Sequence, residues 1–527
     1  MRLDVLLETP RSLSFELSGD AAYAAEEAYE IRLNGELLRR DGRRVQSIFG
    51  LRPETDYTLE VIGKDDAAEY RFKTAEEAYT LDVRNFGAKG DGKSDDTQAI
   101  QAALYSCPEN GRVLVPPGRY KFTSLYFKSR SRFELAEGAV LEAVPQREGR
   151  AILPGFIRDF EGGKYHLGSW EGNPLDCYAG LFTLIDAEDV VIYGEGVLEG
   201  NGSYWWPKTK SKIGAWRPRS VVMSRCENIK LQGITIKNSP SWTVHPMESE
   251  ELDFINVNII NPWDSPNTDG INPEASEEVR ILGCHFSLGD DCIALKSGKI
   301  YMARETERPC RDIVIRNCLM ENGHGGLTIG SEMAGGVRDV EVTDCVFRRT
   351  DRGLRIKTRR GRGELAVVSD ITFDNIEMDE VLAPFVVNMF YFCDPDGHSD
   401  YVQTKEKAEG PEEALPEIGA LSFENIRAYN CRLGGLFAYG LPERPIEKIE
   451  LKNVEMTFVP PADRAEGIPA MLHDEDWQPG DIIYVRNTED FVCEDVRCSY
   501  HKGDHRLVLD AGKTKIKDSS LPPEREV

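Results

Sequence analysis

One six-residue pattern constrains this chain more than any other feature. It reads apolar, any residue, Gly/Asn/Asp, apolar, any residue, apolar. It occurs as LQGITI (231–236), FINVNI (254–259), ILGCHF (281–286), IRNCLM (315–320) and VTDCVF (342–347), then as FDNIEM (373–378), FENIRA (423–428), LKNVEM (451–456) and CEDVRC (493–498). The steps run from 23 to about 50 residues, the longer ones carrying insertions. In an extended chain successive side chains alternate between faces, so the apolar positions of each half-unit share one face. The Gly, Asn or Asp sits where the chain must bend, and these residues tolerate left-handed backbone. A single unit cannot bury its inward face, but a stack of units can. The pattern therefore predicts an all-β chain built around a right-handed parallel β-helix.

The repeat assigns several residues before any chemistry is considered. Asn256, Asn317, Asn375, Asn425 and Asn453 occupy the bend. Cys284, Cys318 and Cys345 fill the slot taken by Ile234, Val257, Ile376, Ile426 and Val454 in other units. A free thiol behaves as a small apolar group, so these cysteines read as an inward stack and not as ligands or disulfides. The twelve cysteines include no CxxC pair.

The front of the chain has a different period. SLSFELSG, YEIRLNGELL, DYTLEVIG and EYRFKTA alternate strictly, as half-buried antiparallel strands do. The expected division is a small β-sandwich over residues 1–78 and the β-helix over 79–527. Leu51-Arg-Pro53-Glu-Thr55-Asp-Tyr57 resembles the corner of fibronectin type III domains, in which a Tyr ties two sheets together.

Just after the boundary, Gly87-Ala-Lys-Gly-Asp-Gly92-Lys93-Ser94 satisfies the phosphate-loop spacing. Asp91, Asp95 and Asp96 would crowd a phosphate, and no alternating βα pattern follows. The segment reads instead as a turn before an amphipathic helix that caps the open end of the β-helix, with Ser94 or Asp95 as N-cap. Gly118 is then expected to open the first coil.

Charge limits the partners. There are 64 Lys+Arg against 90 Asp+Glu, a formal net charge of −26. That argues against nucleic acid and anionic membranes. The N-terminal apolar run is interrupted by Asp4 and Glu8 and does not form a visible signal peptide, so a cytoplasmic protein with reduced thiols is expected. A secreted protein that has lost its leader is the alternative.

Four polar motifs stand at coil spacing. Asp269 lies in Asn267-Thr-Asp-Gly270, and Asp290 and Asp291 lie in Gly289-Asp-Asp, 22 residues from Asp269 to Asp291. His324 follows Asp291 by 33 residues, and Arg355 follows His324 by 31. Residues one coil apart stack at about 4.8 Å, so the four motifs should meet on one face. Arg355 and Lys357 are two apart in a strand and point the same way. Carboxylates held together raise one another's proton affinity, which lets one act as acid while another acts as base. Taken singly, the Asp pair reads as a solvated turn, His324 as a satisfied loop histidine and Arg355/Lys357 as a strand edge; their order and spacing favour a site.

Asn-Thr-Asp-Gly, Gly-Asp-Asp, Gly-His-Gly and Arg-Ile-Lys, in that order, resemble the signature motifs of the polygalacturonases, glycoside hydrolase family 28. The resemblance runs from about Asn85 to near residue 500. It implies a galacturonide hydrolase that inverts anomeric configuration, with a carboxylate gap wide enough for water. It implies Asp290 as general acid, Asp269 and Asp291 as the pair that activates water, and His324 as the residue that tunes the acid. Arg355 and Lys357 correspond to the clamp on the uronate carboxylate, with Asn267, Lys296 and Tyr391 as further substrate-binding candidates. No metal or other cofactor is implied. The partner is an oligogalacturonide or pectic polysaccharide, and oligomeric state is not readable.

Within the family the chain resembles exo-acting bacterial members, some of which carry a fibronectin-like front domain. The insertion at about 144–180 is long enough to wall off one end of a groove. Tyr204-Trp205-Trp206 and Trp242 are either sugar platforms or coil-edge packing. Alternatives are a hydrolase of rhamnogalacturonan or xylogalacturonan, a calcium-dependent pectate lyase using the Asp cluster as ligands, and a non-catalytic glycan-binding β-helix. Finally, the Arg348–Arg362 run holds eight Lys/Arg and one Asp. It predicts a focused positive patch that would offset the acidic whole-chain charge near the site.

Overall fold

The computed structural model describes residues 1–158, 160–206, 214–473 and 476–525. Strands Leu3–Glu8, Leu13–Leu17 and Val45–Ile48 form one antiparallel sheet. Strands Glu36–Arg43, Ala24–Leu33, Asp56–Ile62 and Ala67–Lys73 form the second. Leu13, Phe15, Leu17, Ile31, Leu59 and Val61 meet between the sheets. The Tyr57 hydroxyl accepts the Arg52 N–H at 2.9 Å, pinning the corner.

The strand Leu13–Leu17 is buried on both faces, not on one as its alternation suggests. Its polar side docks on the β-helix. Glu16 accepts from Arg316 and Asn317 at 2.7 and 2.6 Å, and Gln232 donates to Ser14 at 2.6 Å.

From Tyr79 onward most strands join one large sheet in which successive coils pair in parallel, beside a four-stranded parallel sheet of Leu125–Phe127, Phe182–Ile185, Val221–Ser224 and Val244–Met247, giving the right-handed parallel β-helix. The repeat keeps its register. Ile229, Leu252, Val279, Ile313, Val340, Ile371, Leu421 and Ile449 form one unbroken inward row. Phe286, Met320, Phe347 and Met378 belong to a second. All nine bend positions have positive φ, from Gly233 and Asn256 through Asp344 to Asn453 and Asp495. Asn453 donates to Asn425 at 2.6 Å, and Asn375 donates to Asp344 at 2.6 Å, so the bends are tied coil to coil. Cys284, Cys318 and Cys345 are fully buried in the core, and all twelve thiols are unpaired.

The entry to the β-helix departs from expectation in two places. The N-cap of helix Thr97–Ser106 is Asp96, not Ser94 or Asp95. Ser94 and Asp95 are drawn into the strand Asp91–Asp95, which pairs with Gly118–Phe122. That strand and Tyr79–Asp82 also show that coiling starts before Gly118. The phosphate-loop amides are already occupied: Asp96 accepts from the N–H groups of Lys89 and Gly90, and Asp91 from those of Lys93 and Ser94. The helix buries Ile100, Ala103 and Leu104 in the main core. Among the described residues no helix is long and apolar enough to cross a membrane.

Candidate active site

A third row of strands carries the polar motifs. Ile271 pairs with Ile293, Ile293 with Leu327, and Leu327 with Leu354, all inward-facing core residues. That register brings Asp269 beside Asp291, Asp291 opposite Gly325, and Arg355 opposite Thr328. Asp269, Asp290, Asp291, His324, Arg355 and Lys357 all line one cleft of about 500 Å³, as do Asn267, Lys296 and Tyr391. Every site residue expected from the sequence is thus in one place. Glycine at 325 is required there, because a Cβ would lie 2.3 Å from Thr328 Oγ1 and 3.1 Å from Asp291 Oδ1.

The three carboxylates offer oxygens within 4.8 Å of one another. The stacking distance between coils sets the closeness. Their surroundings separate them. Burial pushes the Asp269 carboxyl well above the usual range, and the nearby Asp290 charge adds to it. Asn272 donates to Asp269 at 2.9 Å. Burial and then Asp291 also raise Asp290, against the pull of His324, Lys357 and Arg355. Burial acts on Asp291 too, but Lys357, Arg355 and Lys296 outweigh it and hold that carboxyl well below the usual range. Lys357 Nζ donates to Asp291 Oδ2 at 3.0 Å, and Arg355 lies 3.5 Å from Oδ1. The cluster therefore holds one carboxylate favoured in its ionised form beside two whose proton affinity is raised, the split that acid–base chemistry requires.

The cleft's other expected residues have distinct partners. His324 Nδ1 bonds Asp351 Oδ2 at 2.8 Å, and this bond, aided by Asp290 and Asp291, raises the imidazole pKa against partial burial. Asn267 accepts from Arg217 at 2.6 Å. Lys296 is buried, pairs with Glu332 at 3.0 Å and sits 4.6 Å from the Trp242 ring centroid, so its charge is committed to the cleft wall. Tyr391 lies over Lys357, with Nζ 5.7 Å from its ring centroid.

The basic run is not the focused patch that its charge suggests. Arg359 pairs with Asp396 at 3.0 Å, and Arg360 is buried against Glu443 at 2.9 Å. Arg362 lies near Asp394. Only Arg352, Arg355 and Lys357 of the run face the cleft. A chain of like charges shows its sum in the sequence but not which members fold back onto acids.

The insertion carries two short antiparallel pairs, Ile152–Leu153 with Cys177–Tyr178 and Ile157–Arg158 with Lys164–Tyr165. Its Trp170 stacks on Trp216 at 4.6 Å and lies parallel to Trp242 at 5.9 Å. Trp242 lines the cleft but is 3% exposed, so it is packed wall. Tyr204, Trp205 and Trp206 do not line the cleft. Trp205 is buried with Tyr178, and Trp206 donates to the Ser239 carbonyl at 2.9 Å.

Sequence reasoning missed Glu171, Lys299, Glu332, Asp351, Arg352 and Asp394, all of which line the cleft. A signal existed for Glu332, because it lies on the coil that pairs next to Lys296. Asp351, at the head of the Arg352–Lys357 strand, was findable in the same way.

Comparisons agree with this geometry. Residues 169–404 match the model of glycosyl hydrolases family 28, and residues 80–135 match that of rhamnogalacturonase A/epimerase, pectate lyase-like. A probable polygalacturonase of Arabidopsis thaliana is 34% identical over 354 residues, 66% of this chain and 67% of the relative. An exopolygalacturonase of Zea mays is 29% identical, covering 61% of this chain and 73% of the relative. The Thermotoga maritima exopolygalacturonase structure aligns at a TM-score of 0.60 and 26% identity, over 73% of this chain and 88% of that one. The Yersinia enterocolitica family 28 exopolygalacturonase shares the fold at a TM-score of 0.67 and 19% identity, over 98% of both chains. With its four motifs stacked on one face of the β-helix and these likenesses along most of its length, the chain belongs to glycosyl hydrolase family 28, the polygalacturonase family, and is a glycosidase.

Proposed function

We propose that the protein hydrolyses α-1,4-galacturonide bonds from a chain end, releasing galacturonic acid. The observation that carries the chemistry is the split within the aspartate trio: Asp291 held ionised by Lys357 and Arg355, beside Asp290 and Asp269 held toward protonation. Asp290 gives its proton to the glycosidic oxygen as the bond to the anomeric carbon breaks. Water attacks that carbon and loses its proton to Asp291. Asp269 holds the water in line. Arg355 and Lys357 pair with the uronate carboxylate, and protonated His324 tunes Asp290.

End-wise action is supported by the insertion, whose Trp170 stacks on Trp216 and whose neighbouring Glu171 lines the cleft. The exopolygalacturonases among the similar proteins support it too. Sizing products from trigalacturonate and polygalacturonate over time tests the reading. Monomer alone from the outset, with new reducing ends, is expected. A ladder of oligomers contradicts end-wise action, and an unsaturated, ultraviolet-absorbing product contradicts hydrolysis.

The front sandwich reads as fibronectin type III-like on the Tyr57–Arg52 corner and serves as a brace on the bends at Asn256 and Asn317. Twelve unpaired thiols support action in a reducing compartment on short oligomers. Fractionation of cells tests that placement.

A further inference from the structure

The tip of the insertion is a tight turn with reciprocal backbone bonds between Trp170 and Asn173 at 3.0 and 3.1 Å. Trp170 is clamped in a ladder of rings and cations. Trp216 stacks on one face, and the Arg219 guanidinium lies 5.2 Å from Trp170 and 5.0 Å from Trp242. The next residue, Glu171, has φ +49°, a left-handed conformation uncommon outside glycine. Gly172 then wedges against the cleft wall. Its carbonyl accepts the Lys299 N–H at 3.0 Å, and a Cβ there would lie 2.7 Å from Lys299 N and 2.8 Å from the Glu332 side chain. Everything around Glu171 is held, and Glu171 itself is exposed into the cleft.

Its neighbours leave the carboxylate free for a ligand. Lys296 bonds Glu332 at 3.0 Å, and Lys299 bonds Asp394 at 2.7 Å, so the nearby cations are committed. Crowding by the cleft walls and then Glu332 raise the Glu171 carboxyl, against the pull of Lys299 and Lys296. Trp170 packs on Trp216 and Trp242, ahead of Asp269 along the coils, whereas His324 and Arg355 stand on the coils after Asp291. In the end-wise reading the insertion side of the cleft receives the glycone, and Glu171 stands at the insertion tip that lines it.

We propose that Glu171 is a specificity-determining residue that reads the non-reducing end of a galacturonide. It accepts a hydrogen bond from the hydroxyl that only a terminal residue has free, and it repels the carboxylate of a further uronate. This rests on the end-wise reading above. An acceptor of this kind discriminates strongly, because a substrate lacking the hydroxyl leaves a charged group unpaired.

The test compares trigalacturonate with the same trimer bearing a 4-O-methyl group on its non-reducing residue. The wild type is expected to prefer the free trimer by at least about 10-fold in kcat/KM, the size of one hydrogen bond to a charged group. Glu171→Ala is expected to raise KM for the free trimer about 10-fold with little change in kcat, and to bring the two trimers within about 3-fold of each other. Glu171→Gln keeps a neutral acceptor and provides a second variant, with an intermediate ratio expected. An unchanged ratio in both variants overturns the assignment of Glu171. A wild type that makes a product ladder from polymer overturns the end-wise reading instead.

Discussion

Lys357 Nζ reaches Asp291 Oδ2 at 3.0 Å from a strand two coils further along the β-helix. The contact joins the residue proposed to bind the substrate's charge to the carboxylate proposed to receive the proton of water. Loss of Lys357 leaves burial acting on Asp291 with less opposition, so the carboxyl rises. Asp291 must be ionised to act, so the acid limb of the kcat–pH profile in Lys357→Met moves to higher pH. At neutral pH kcat falls about 10–100-fold. A pH-rate profile with an unmoved acid limb contradicts this coupling.

Asp269 carries the opposite burden. Its folded carboxyl is raised by burial and by Asp290, so the folded chain binds a proton that the unfolded chain has released. That contribution is fully present below the ordinary carboxylate range and is lost as pH rises toward the raised value. Asp269→Asn cannot ionise and loses this slope. The variant should melt about 1–3 °C above the wild type at pH 7, with the difference vanishing near pH 4, while activity falls about 100-fold or more. Equal melting temperatures across that range refute the shift.

The His324 imidazole is raised first by its bond to Asp351. NMR of the ring protons should show it titrating above the usual histidine value of about 6.5. In Asp351→Asn the midpoint moves down and the alkaline limb of activity follows it. A midpoint unchanged by that substitution removes the role of Asp351.

Asp269, Asp290 and Asp291 bring carboxylate oxygens within 4.8 Å of one another. In the mechanism above water is held between Asp291 and Asp269, and no covalent sugar–enzyme species forms. NMR of the first product should therefore show the β-anomer released from an α-linked substrate. First appearance of the α-anomer would indicate retention, with one of these carboxylates as nucleophile.

The β-helix was legible because one residue per coil is chemically marked. Asn256, Asn317, Asn375, Asn425 and Asn453 all adopt positive φ, which few other residues tolerate. The catalytic row was legible because coil stacking turns a sequence interval into a contact, as between Asp269 and Asp291. Glu171 was not, because the insertion has no repeat to set its register. Trp170 finds Trp216 and Trp242 only through tertiary packing. Arg359 and Arg360 misled in the other direction, since their acids come from Asp396 and Glu443 in later loops. The burial of Ser14 and Glu16 likewise follows from docking between domains, which strand alternation does not encode.

Asp290 is proposed above as the proton donor in this cleft. Turnover of trigalacturonate by Asp290→Asn tests that role most directly, alongside a binding isotherm for the same trimer. The predicted result is a kcat lower by at least about 100-fold with binding retained. Turnover near the wild-type rate would contradict the account.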